Sequence, residues 1–235
     1  MVTHWGAILG LALAASSAQA LDLDEVEAWT HRDYDVRLAR YTASDRLIAD
    51  SVPNRSLDLV FVRLLAAAFE RYPEAKRLRW EVQLVQDHEL SAEAYSDGRI
   101  LLSKAFVQRY AHDENQLAFV LGHEIGHALA RHVRRYYLIA ATRIEAVGLT
   151  SELLIENVDT NTALQMSLAP LARSQELEAD RIGLMLAVRA GFDARGAENV
   201  LLDFMSLQDG ERGDWTHDSA EVRLAALRPV VFDAP

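Results

Sequence analysis

A segment around residue 120 has apolar residues at helical spacing and predicts a helix that carries much of the core. Its apolar positions include Leu117, Val120, Leu121, Ile125 and Ala128. The acidic Asp113 and Glu114 suit the positive end of a helix dipole and mark its start. Gly122 and Gly126 each cost a helix roughly 1 kcal/mol, so they require a reason. Because they share one face, we expect another backbone or a substrate to approach closely there.

Helical spacing recurs on both sides of this central helix. Residues 22–50 alternate charged and apolar positions, which predicts one or two amphipathic helices that cover the core. The further predicted helices run from Asn54 or Ser56 to Tyr72, from Leu171 to Ala190 with Gly191 as C-cap, from Ala194 to Leu207, and from Asp218 or Ser219 to Leu227. Residues 136–168 show no clear element, and a mobile cover over a cleft is one hypothesis for them. Arg131, Arg134 and Arg135 predict either a solvated last turn of the central helix or a partner contact.

Two short segments predict β-strands, and together with the helices they indicate a mainly helical α+β fold. Residues 80–85 predict the first strand, and residues 99–103 predict the second, after the turn pair Asp97-Gly98. We expect a hairpin or a small sheet beside the central helix. This sheet either covers the core or offers an edge that holds an extended peptide by main-chain hydrogen bonds. The predicted edge residues are Gly98, Arg99, Ile100, Leu101 and Leu102.

Composition places the chain among ordinary globular proteins. Its 235 residues are 50% hydrophobic and 25% charged, and no linker or internal repeat is apparent, so one domain over residues 21–235 is expected. A formal net charge of -11 argues against nucleic acid and anionic lipid as partners.

Residues 1–20 contain no Asp, Glu, Lys or Arg, unlike the rest of the chain. An apolar run from Trp5 to Ala15 is followed by Ser16-Ser17-Ala18-Gln19-Ala20, which predicts a cleaved secretory signal. The run is shorter than the roughly 20 apolar residues of a membrane-spanning helix; the alternatives are an uncleaved anchor and a misplaced start. Without cysteine the chain has no acylated cysteine and no disulfide. A soluble periplasmic protein that is not a lipoprotein is expected.

The central helix contains the motif His123-Glu124-x-x-His127. Residues four apart in a helix project from one face, so both imidazoles can bind one metal ion. Glu124 lies about 100° round the helix, where its carboxylate can accept a proton from a water molecule. This is the zincin arrangement. The alternative is a pair of histidines that cap a helix core without a metal.

Two histidines leave a catalytic zinc site one protein ligand short. The glycine and histidine that continue this motif in metzincins are absent, because Ala130 occupies the glycine position and His132 comes one residue too early. On a continued helix His132 points about 140° away from His127. We therefore expect His132 to be a buried or capping residue and not a ligand.

A downstream carboxylate supplies the missing ligand. Glu176 and Asp180 lie one turn apart on one face of a predicted helix, and Glu178 lies roughly opposite, where we expect it to be solvated. Glu176 can bind zinc, while Asp180 accepts a hydrogen bond from the outer N–H of a ligand histidine. The alternative is a surface pair of acidic residues, which repulsion at this spacing disfavours.

Four segments occur in the order of a known family: His123–His132, Ser174–Gly183, Ala190–Asp193 and Thr216–His217. They resemble the BepA/LoiP/HtpX-type gluzincin metallopeptidases, which are related to the CAAX prenyl proteases. The resemblance extends over about residues 80–228. It implies a zincin-like catalytic core at residues 76–228 after an N-terminal helical part at residues 21–75. No tetratricopeptide repeats and no paired transmembrane helices are found, so the chain resembles a minimal soluble member.

The resemblance implies that the ligands of one zinc ion per chain are His123, His127 and Glu176, and that the general base is Glu124. It implies that Asp180 supports the site from behind and that Arg223 occupies the family's usual arginine position. The segment before the metal helix keeps only Ala92 and Gly98 of the family's Asn-Ala-x-x-x-Pro-Gly-Gly. The rim of the substrate cleft therefore departs from the family pattern.

The same resemblance draws attention to His217. In relatives a histidine at this position approaches the metal, where it either blocks the open site or stabilises the tetrahedral intermediate. A catalytic or regulatory role is therefore implied, and the alternative is a histidine in a helix-capping loop.

Three functions follow from these observations. The first is a periplasmic zinc endopeptidase that acts on unfolded or misassembled envelope proteins, with the outer-membrane assembly machinery as a candidate partner; this substrate class is implied by the resemblance alone. The second is an envelope chaperone or assembly factor with a retained or latent zinc site. The third is a metal-storage module. Neither of the last two needs Glu124 as a base, so an intact motif favours the first.

Overall fold

The computed structural model describes residues 21–48, 55–88, 90–144, 148–206 and 219–233. Within these ranges the helices are α1 (Leu23–Ala43), α2 (Arg55–Arg71), α3 (Lys104–Tyr110), α4 (Glu114–Leu129), α5 (His132–Arg143), α6 (Ser151–Thr160), α7 (Thr162–Arg189), α8 (Arg195–Ser206) and α9 (Ala220–Asp233). A 3-10 helix covers Pro73–Arg77, and the strands are β1 (Glu81–Val85), β2 (Ala92–Ala94) and β3 (Arg99–Ser103). The predicted α+β fold with a small sheet is confirmed. The predicted signal segment and His217 lie outside the described residues.

Helix α4 is the centre of the fold. The Asp113 side chain caps it by accepting a hydrogen bond from the backbone N–H of Asn115, at 2.9 Å. Residues 117–122 are all buried, so this part of the helix is covered by neighbouring elements on every face. These neighbours are α7, α8 and α2, with β2 beside them. In the described part of the chain, no helix combines the length and the apolar character that a membrane crossing requires.

The sheet corrects the prediction of a substrate edge at residues 98–102. Its strand order is β1-β3-β2, with β3 parallel to β1 and antiparallel to β2. Arg99, Ile100, Leu101 and Leu102 therefore belong to the central strand, which is buried throughout and has both edges paired. Gly98, at a φ of 94°, lies in the turn before it. A run of apolar residues without alternation is typical of a strand covered on both faces.

The edge strand beside α4 is β2, which the sequence did not reveal. It has only three residues, and two of them are alanines, so it carries neither strand propensity nor a clear alternation. Of the two arrangements predicted for these strands, a hairpin or a small sheet, the structure has the small sheet. In it β1 pairs with β3 in parallel, and β2 forms the antiparallel pair with β3.

No element was predicted for residues 136–168, but the described residues 136–143, 151–160 and 162–168 are helical. They form most of α5, all of α6 and the first turns of α7, which therefore begins at Thr162 and not at Leu171. These helices pack with α1 around one apolar cluster. Its buried members are Val26, Tyr137, Ala140, Leu154, Ile155, Val158, Leu164 and Leu168.

The end of α4 also differs from the prediction. The helix stops at Leu129, and Arg131 adopts a left-handed conformation with φ of 52°, after which α5 begins at His132. The arginines are therefore not a solvated last turn of α4. Arg134 pairs with Asp24 and Glu27 of α1, and Arg135 pairs with a carboxylate of α7. At the other end of the chain, α9 continues through Pro229 to Asp233, beyond its predicted end.

Candidate active site

Helix α4 brings the two histidines of the motif together. His123 and His127 are one turn apart, and their Nε2 atoms face each other at 3.0 Å. Both rings are largely shielded from solvent, with 12% and 21% of the side chains exposed. The predicted common face of the two imidazoles is therefore present in the structure.

Helix α7 supplies the carboxylate that completes the set. Glu176 Oε2 lies 3.4 Å from His123 Nε2, and Glu176 Oε1 lies 3.2 Å from His127 Nε2. A tetrahedral zinc ion with ligand bonds of about 2.0–2.1 Å keeps neighbouring donor atoms about 3.3 Å apart. One Glu176 oxygen therefore lies at about this distance from each imidazole, and the three residues can each offer one ligand atom within 4.8 Å of one another. Two imidazoles with one carboxylate are a donor set that zinc accepts.

Close backbone packing explains how α7 reaches α4. A Cβ atom on Gly122 would lie 2.7 Å from the carbonyl oxygen of Gly183, and one on Gly126 would lie 2.9 Å from that of Ala179. Only glycine leaves room for two backbones at this distance. The glycines of the motif therefore face another backbone, which is one of the two partners predicted for them. The contact places Glu176 and Asp180 opposite the histidines.

The outer nitrogen of His123 is held by a buried ion pair. Asp180 Oδ1 lies 2.9 Å from His123 Nδ1, and Arg223 of α9 binds both Asp180 oxygens, at 2.8 and 2.6 Å. Asp180 is completely buried. Burial alone would raise its pKa, but the guanidinium of Arg223 and the hydrogen bond from His123 lower the pKa of Asp180 to about 2. Asp180 is therefore an ionised acceptor for the Nδ1 hydrogen of His123, and with a metal bound the neutral ring would offer Nε2 to it.

The charges of the site favour a cation. Burial alone would lower the pKa of His123, but the carboxylates of Asp180 and Glu176 raise it to about 10. Burial would likewise raise the pKa of Glu176, but the two histidines hold it well below its usual range. The site therefore stabilises positive charge between these side chains, and a divalent metal ion supplies such charge.

The outer nitrogen of His127 contacts His132, a contact that the sequence did not predict. The two Nδ1 atoms are 3.0 Å apart, and His132 Nε2 lies 3.3 Å from Glu178 Oε2. His132 is buried, as expected, but Glu178 is paired with His132 and Arg135 and is not simply solvated. Burial and the neighbouring His127 lower the pKa of His132 to about 4. The only sequence signal for this contact was that His132 follows His127 by five residues. A straight helix would have directed the two side chains apart, but the left-handed turn at Arg131 ends that helix.

Glu124 is buried beside the two ligand histidines. Its side chain belongs to α4, between His123 and His127 in sequence, and only 9% of the residue is exposed. Burial raises the pKa of Glu124, and this effect outweighs the opposing influence of His123 and His127. A carboxylate with a raised pKa is a better proton acceptor than an ordinary one.

The edge strand β2 lies on the same side of the molecule as these residues. Ala92 and Ala94 pack against the main core, and Glu93 forms an ion pair with Arg37 of α1. In the described part of the chain β2 pairs only with β3, so its other edge has no strand partner there.

Comparisons with known proteins agree with this geometry. The profile of Peptidase family M48 matches residues 52–231, about three quarters of the chain. Mitochondrial metalloendopeptidase OMA1 of Arabidopsis thaliana is 32% identical over 165 residues, which are 64% of this chain and 31% of that protein. Beta-barrel assembly-enhancing protease of Yersinia pestis is 28% identical over 202 residues, which are 80% and 39% of the two chains. The protease of the same name from Escherichia coli (strain K12) is 28% identical over 181 residues, 72% of this chain and 36% of its own. The matched part thus spans less than half the length of these relatives.

Proposed function

The chain belongs to peptidase family M48, and from this membership and the geometry of its site we propose that it is a zinc-dependent endopeptidase. The predicted resemblance to gluzincin metallopeptidases and the zincin-like fold are confirmed by the family match. The observation that carries the proposal is the convergence of His123, His127 and Glu176 within 3.0–3.4 Å of one another, with Glu124 buried beside them.

In this proposal His123, His127 and Glu176 hold one zinc ion. When bound, zinc polarises the scissile carbonyl and makes water more acidic. Glu124 takes a proton from the attacking water and later gives it to the leaving amine. Its raised pKa suits both steps, because the carboxyl must accept a proton and then release it. Asp180 accepts the Nδ1 hydrogen of His123 and so fixes the orientation of that ligand.

We assign the binding of the substrate backbone to β2, in place of the residues 98–102 that were predicted. Its open edge suits an extended peptide, which gains main-chain hydrogen bonds without regard to sequence. An unfolded protein offers such extended segments, whereas a folded protein has them paired. The edge strand therefore supports a preference for unfolded or misassembled proteins.

We further propose that the substrates are proteins of the cell envelope and that the protein acts in the periplasm. The name of one group of relatives refers to β-barrel assembly, which makes the outer-membrane assembly machinery a candidate partner. The predicted secretory signal at residues 1–20 supports the same location. His217 keeps its proposed role as a residue that either assists catalysis or blocks the site.

The test uses the chain from Leu21, loaded with zinc and incubated with casein as an unfolded substrate. Wild type should fragment casein on a gel, whereas Glu124→Gln should bind zinc equally well and leave casein intact. Cleavage by both proteins would indicate a contaminating protease. If neither cleaves although zinc is bound, the proposal of a constitutive peptidase fails. His217→Ala in the same assay then separates a latent enzyme, which this change activates, from a chaperone, which it does not.

A further inference from the structure

A hydrogen-bonded chain of four side chains leads from the metal-binding face of α4 to the protein surface. It begins at His127, continues through His132 at 3.0 Å and Glu178 at 3.3 Å, and ends at Arg135, whose Nη1 lies 2.6 Å from the same Glu178 oxygen. His132 is buried, whereas Glu178 and Arg135 are 43% and 45% exposed. The chain connects α4, α5 and α7, and none of its last three members was assigned a part in the site above.

Only one arrangement of hydrogens fits both the geometry and a bound metal. Nε2 of His127 faces His123 and Glu176, so it must be free of hydrogen to bind zinc. The ring hydrogen of His127 then lies on Nδ1, from which it is donated to Nδ1 of His132. His132 must consequently carry its own hydrogen on Nε2, and that hydrogen points to the Glu178 carboxylate. Each ring is neutral, and each nitrogen along the chain has one defined role.

The position of His132 is fixed independently of this chain. The side-chain amide of Gln175 donates a hydrogen bond of 3.0 Å to the backbone carbonyl of His132, and both residues are buried. The left-handed turn at Arg131 directs the start of α5 back toward α7. A flexible surface histidine would not hold one acceptor nitrogen toward a metal ligand in this way.

We propose that His132 and Glu178 are positioning residues for the metal site, which hold His127 in the tautomer that binds zinc. This inference rests on the proposed function, since it concerns the same metal site. Glu178 attracts the Nε2 hydrogen of His132, which keeps Nδ1 of His132 an acceptor and makes His127 a more basic ligand. The role parallels that of Asp180 at His123, but a second imidazole is inserted between the ligand and the carboxylate.

Zinc affinity tests the proposal without any reference to proteolysis. Competition with a chromogenic chelator would be measured for wild type, His132→Phe and Glu178→Gln. Loss of such an outer partner lowers metal affinity about 10- to 100-fold. We expect a loss in this range for His132→Phe and about tenfold for Glu178→Gln, since glutamine keeps an acceptor oxygen but removes the charge. Arg134→Ala is the matched control. It removes ion pairs to Asp24 and Glu27 from the same helix but leaves the hydrogen bonds from His127 to Arg135 in place.

A spectroscopic measurement separates positioning from loss of fold. In the zinc-loaded wild type with 15N-labelled histidine, His127 should show a hydrogen on Nδ1 that exchanges slowly with solvent. In His132→Phe this hydrogen should exchange at least roughly tenfold faster, while the helical circular dichroism stays unchanged. If His132→Phe unfolds, Glu178→Gln alone tests the proposal, because glutamine has nearly the same shape as glutamate and should not disturb the fold.

Two outcomes would overturn the proposal. One is a zinc affinity within twofold of wild type for the folded variants. The other is a hydrogen on Nε2 of His127 in the zinc-loaded wild type. A wild type that binds zinc tightly but does not cleave casein would overturn the proposal of a constitutive peptidase and leave this inference standing.

Discussion

The two histidines proposed as zinc ligands are held from behind in different ways. Behind His123 stands Asp180, completely buried and bound twice by Arg223. Behind His127 the chain passes through a second histidine before it reaches a carboxylate, and that carboxylate is 43% exposed. We call Asp180 and Arg223 the closed side, because this pair behind His123 is buried. We call His132, Glu178 and Arg135 the open side, because the hydrogen bonds behind His127 lead to solvent-exposed residues.

This difference has an energetic consequence. Two charges removed from water lose much of their hydration, and only excellent mutual geometry compensates for that loss. The pair of Asp180 and Arg223 meets this condition with two hydrogen bonds. Removal of Arg223 leaves the buried carboxylate with only the hydrogen bond from His123, and removal of Asp180 leaves a buried guanidinium without its carboxylate. Glu178 and Arg135 keep part of their hydration and therefore depend less on each other. The closed side should be sensitive to mutation, and the open side should be tolerant.

The closed side also joins distant parts of the chain. Asp180 comes from α7 and Arg223 from α9, so the last described helix contributes directly to the support of a ligand on α4. The open side uses only α5 and α7, of which α5 follows α4 directly. A change on the closed side should therefore affect the stability of the fold as well as the metal site.

The largest expected effect is that of Arg223→Met. The change leaves the Asp180 carboxylate buried without its cation, and breaking such a pair costs roughly 3–5 kcal/mol. Urea denaturation should show a free energy of unfolding lower by about this amount. Arg228→Met is the matched control on the same helix, because Arg228 is 54% exposed and reaches Glu198 only at 3.9 Å; it should change little.

A double variant sharpens the same prediction. Asp180→Leu combined with Arg223→Met removes both charges, so it should be considerably more stable than Arg223→Met alone. If Arg223→Met costs less than about 1 kcal/mol, Asp180 is not the closed, unhydrated carboxylate that the structure indicates.

Gly122→Ala should have the next largest effect and should disturb both ligands together. The added Cβ would lie 2.7 Å from the Gly183 carbonyl oxygen, and neither backbone can move without shifting a whole helix. Overpacking costs about 1–3 kcal/mol, and we expect the upper part of this range here because the clash is with backbone. The cost then exceeds the roughly 1 kcal/mol that alanine gains over glycine in a helix. Urea denaturation should show the net loss, and the zinc affinity should fall because Glu176 is displaced. A gain in stability would mean that the helices can separate without cost.

Much of this site could be predicted because helices make spacing meaningful. A four-residue interval places His123 above His127, and the same interval places Glu176 above Asp180, whatever the rest of the fold does. The two glycines required a close neighbour, and that neighbour proved to be the backbone of α7. The sequence did not distinguish a backbone from a substrate as the neighbour, because either one requires that the helix has no side chain at these positions.

The errors arose where a local rule was extended beyond its element. The direction of His132 was calculated on a straight helix, but α4 ends at Leu129 and the chain turns at Arg131. A left-handed arginine carries no composition signal, since glycine is the usual residue in that conformation. The edge of the sheet was misassigned because the real edge, Ala92–Ala94, is too short and too weak in strand propensity to be recognised.

On the open side, Arg135→Met should have only a small effect on stability. Its guanidinium and the Glu178 carboxylate are both nearly half exposed, and such pairs contribute about 0–1 kcal/mol. Thermal unfolding should place the variant close to wild type. The stability of Arg134→Met is a suitable comparison. Arg134 is the neighbouring residue and forms ion pairs with two other carboxylates, those of Asp24 and Glu27. If Arg135→Met lost more than roughly 2 kcal/mol of stability, the pair of Glu178 and Arg135 would be shielded from water like that of Asp180 and Arg223.

Salt should distinguish the two sides even where their effects on stability are hard to separate by size. At 1 M salt the Debye length is about 3 Å, so ions screen exposed charges but do not enter the region between buried ones. The small deficit of Arg135→Met relative to wild type should therefore shrink when urea denaturation is repeated in 1 M NaCl. The deficit of Arg223→Met should persist, because Asp180 has no exposed surface at which an ion can replace the lost guanidinium. If both deficits shrank in proportion, water and ions would have access to both sides, and the two ligands would be supported in the same way.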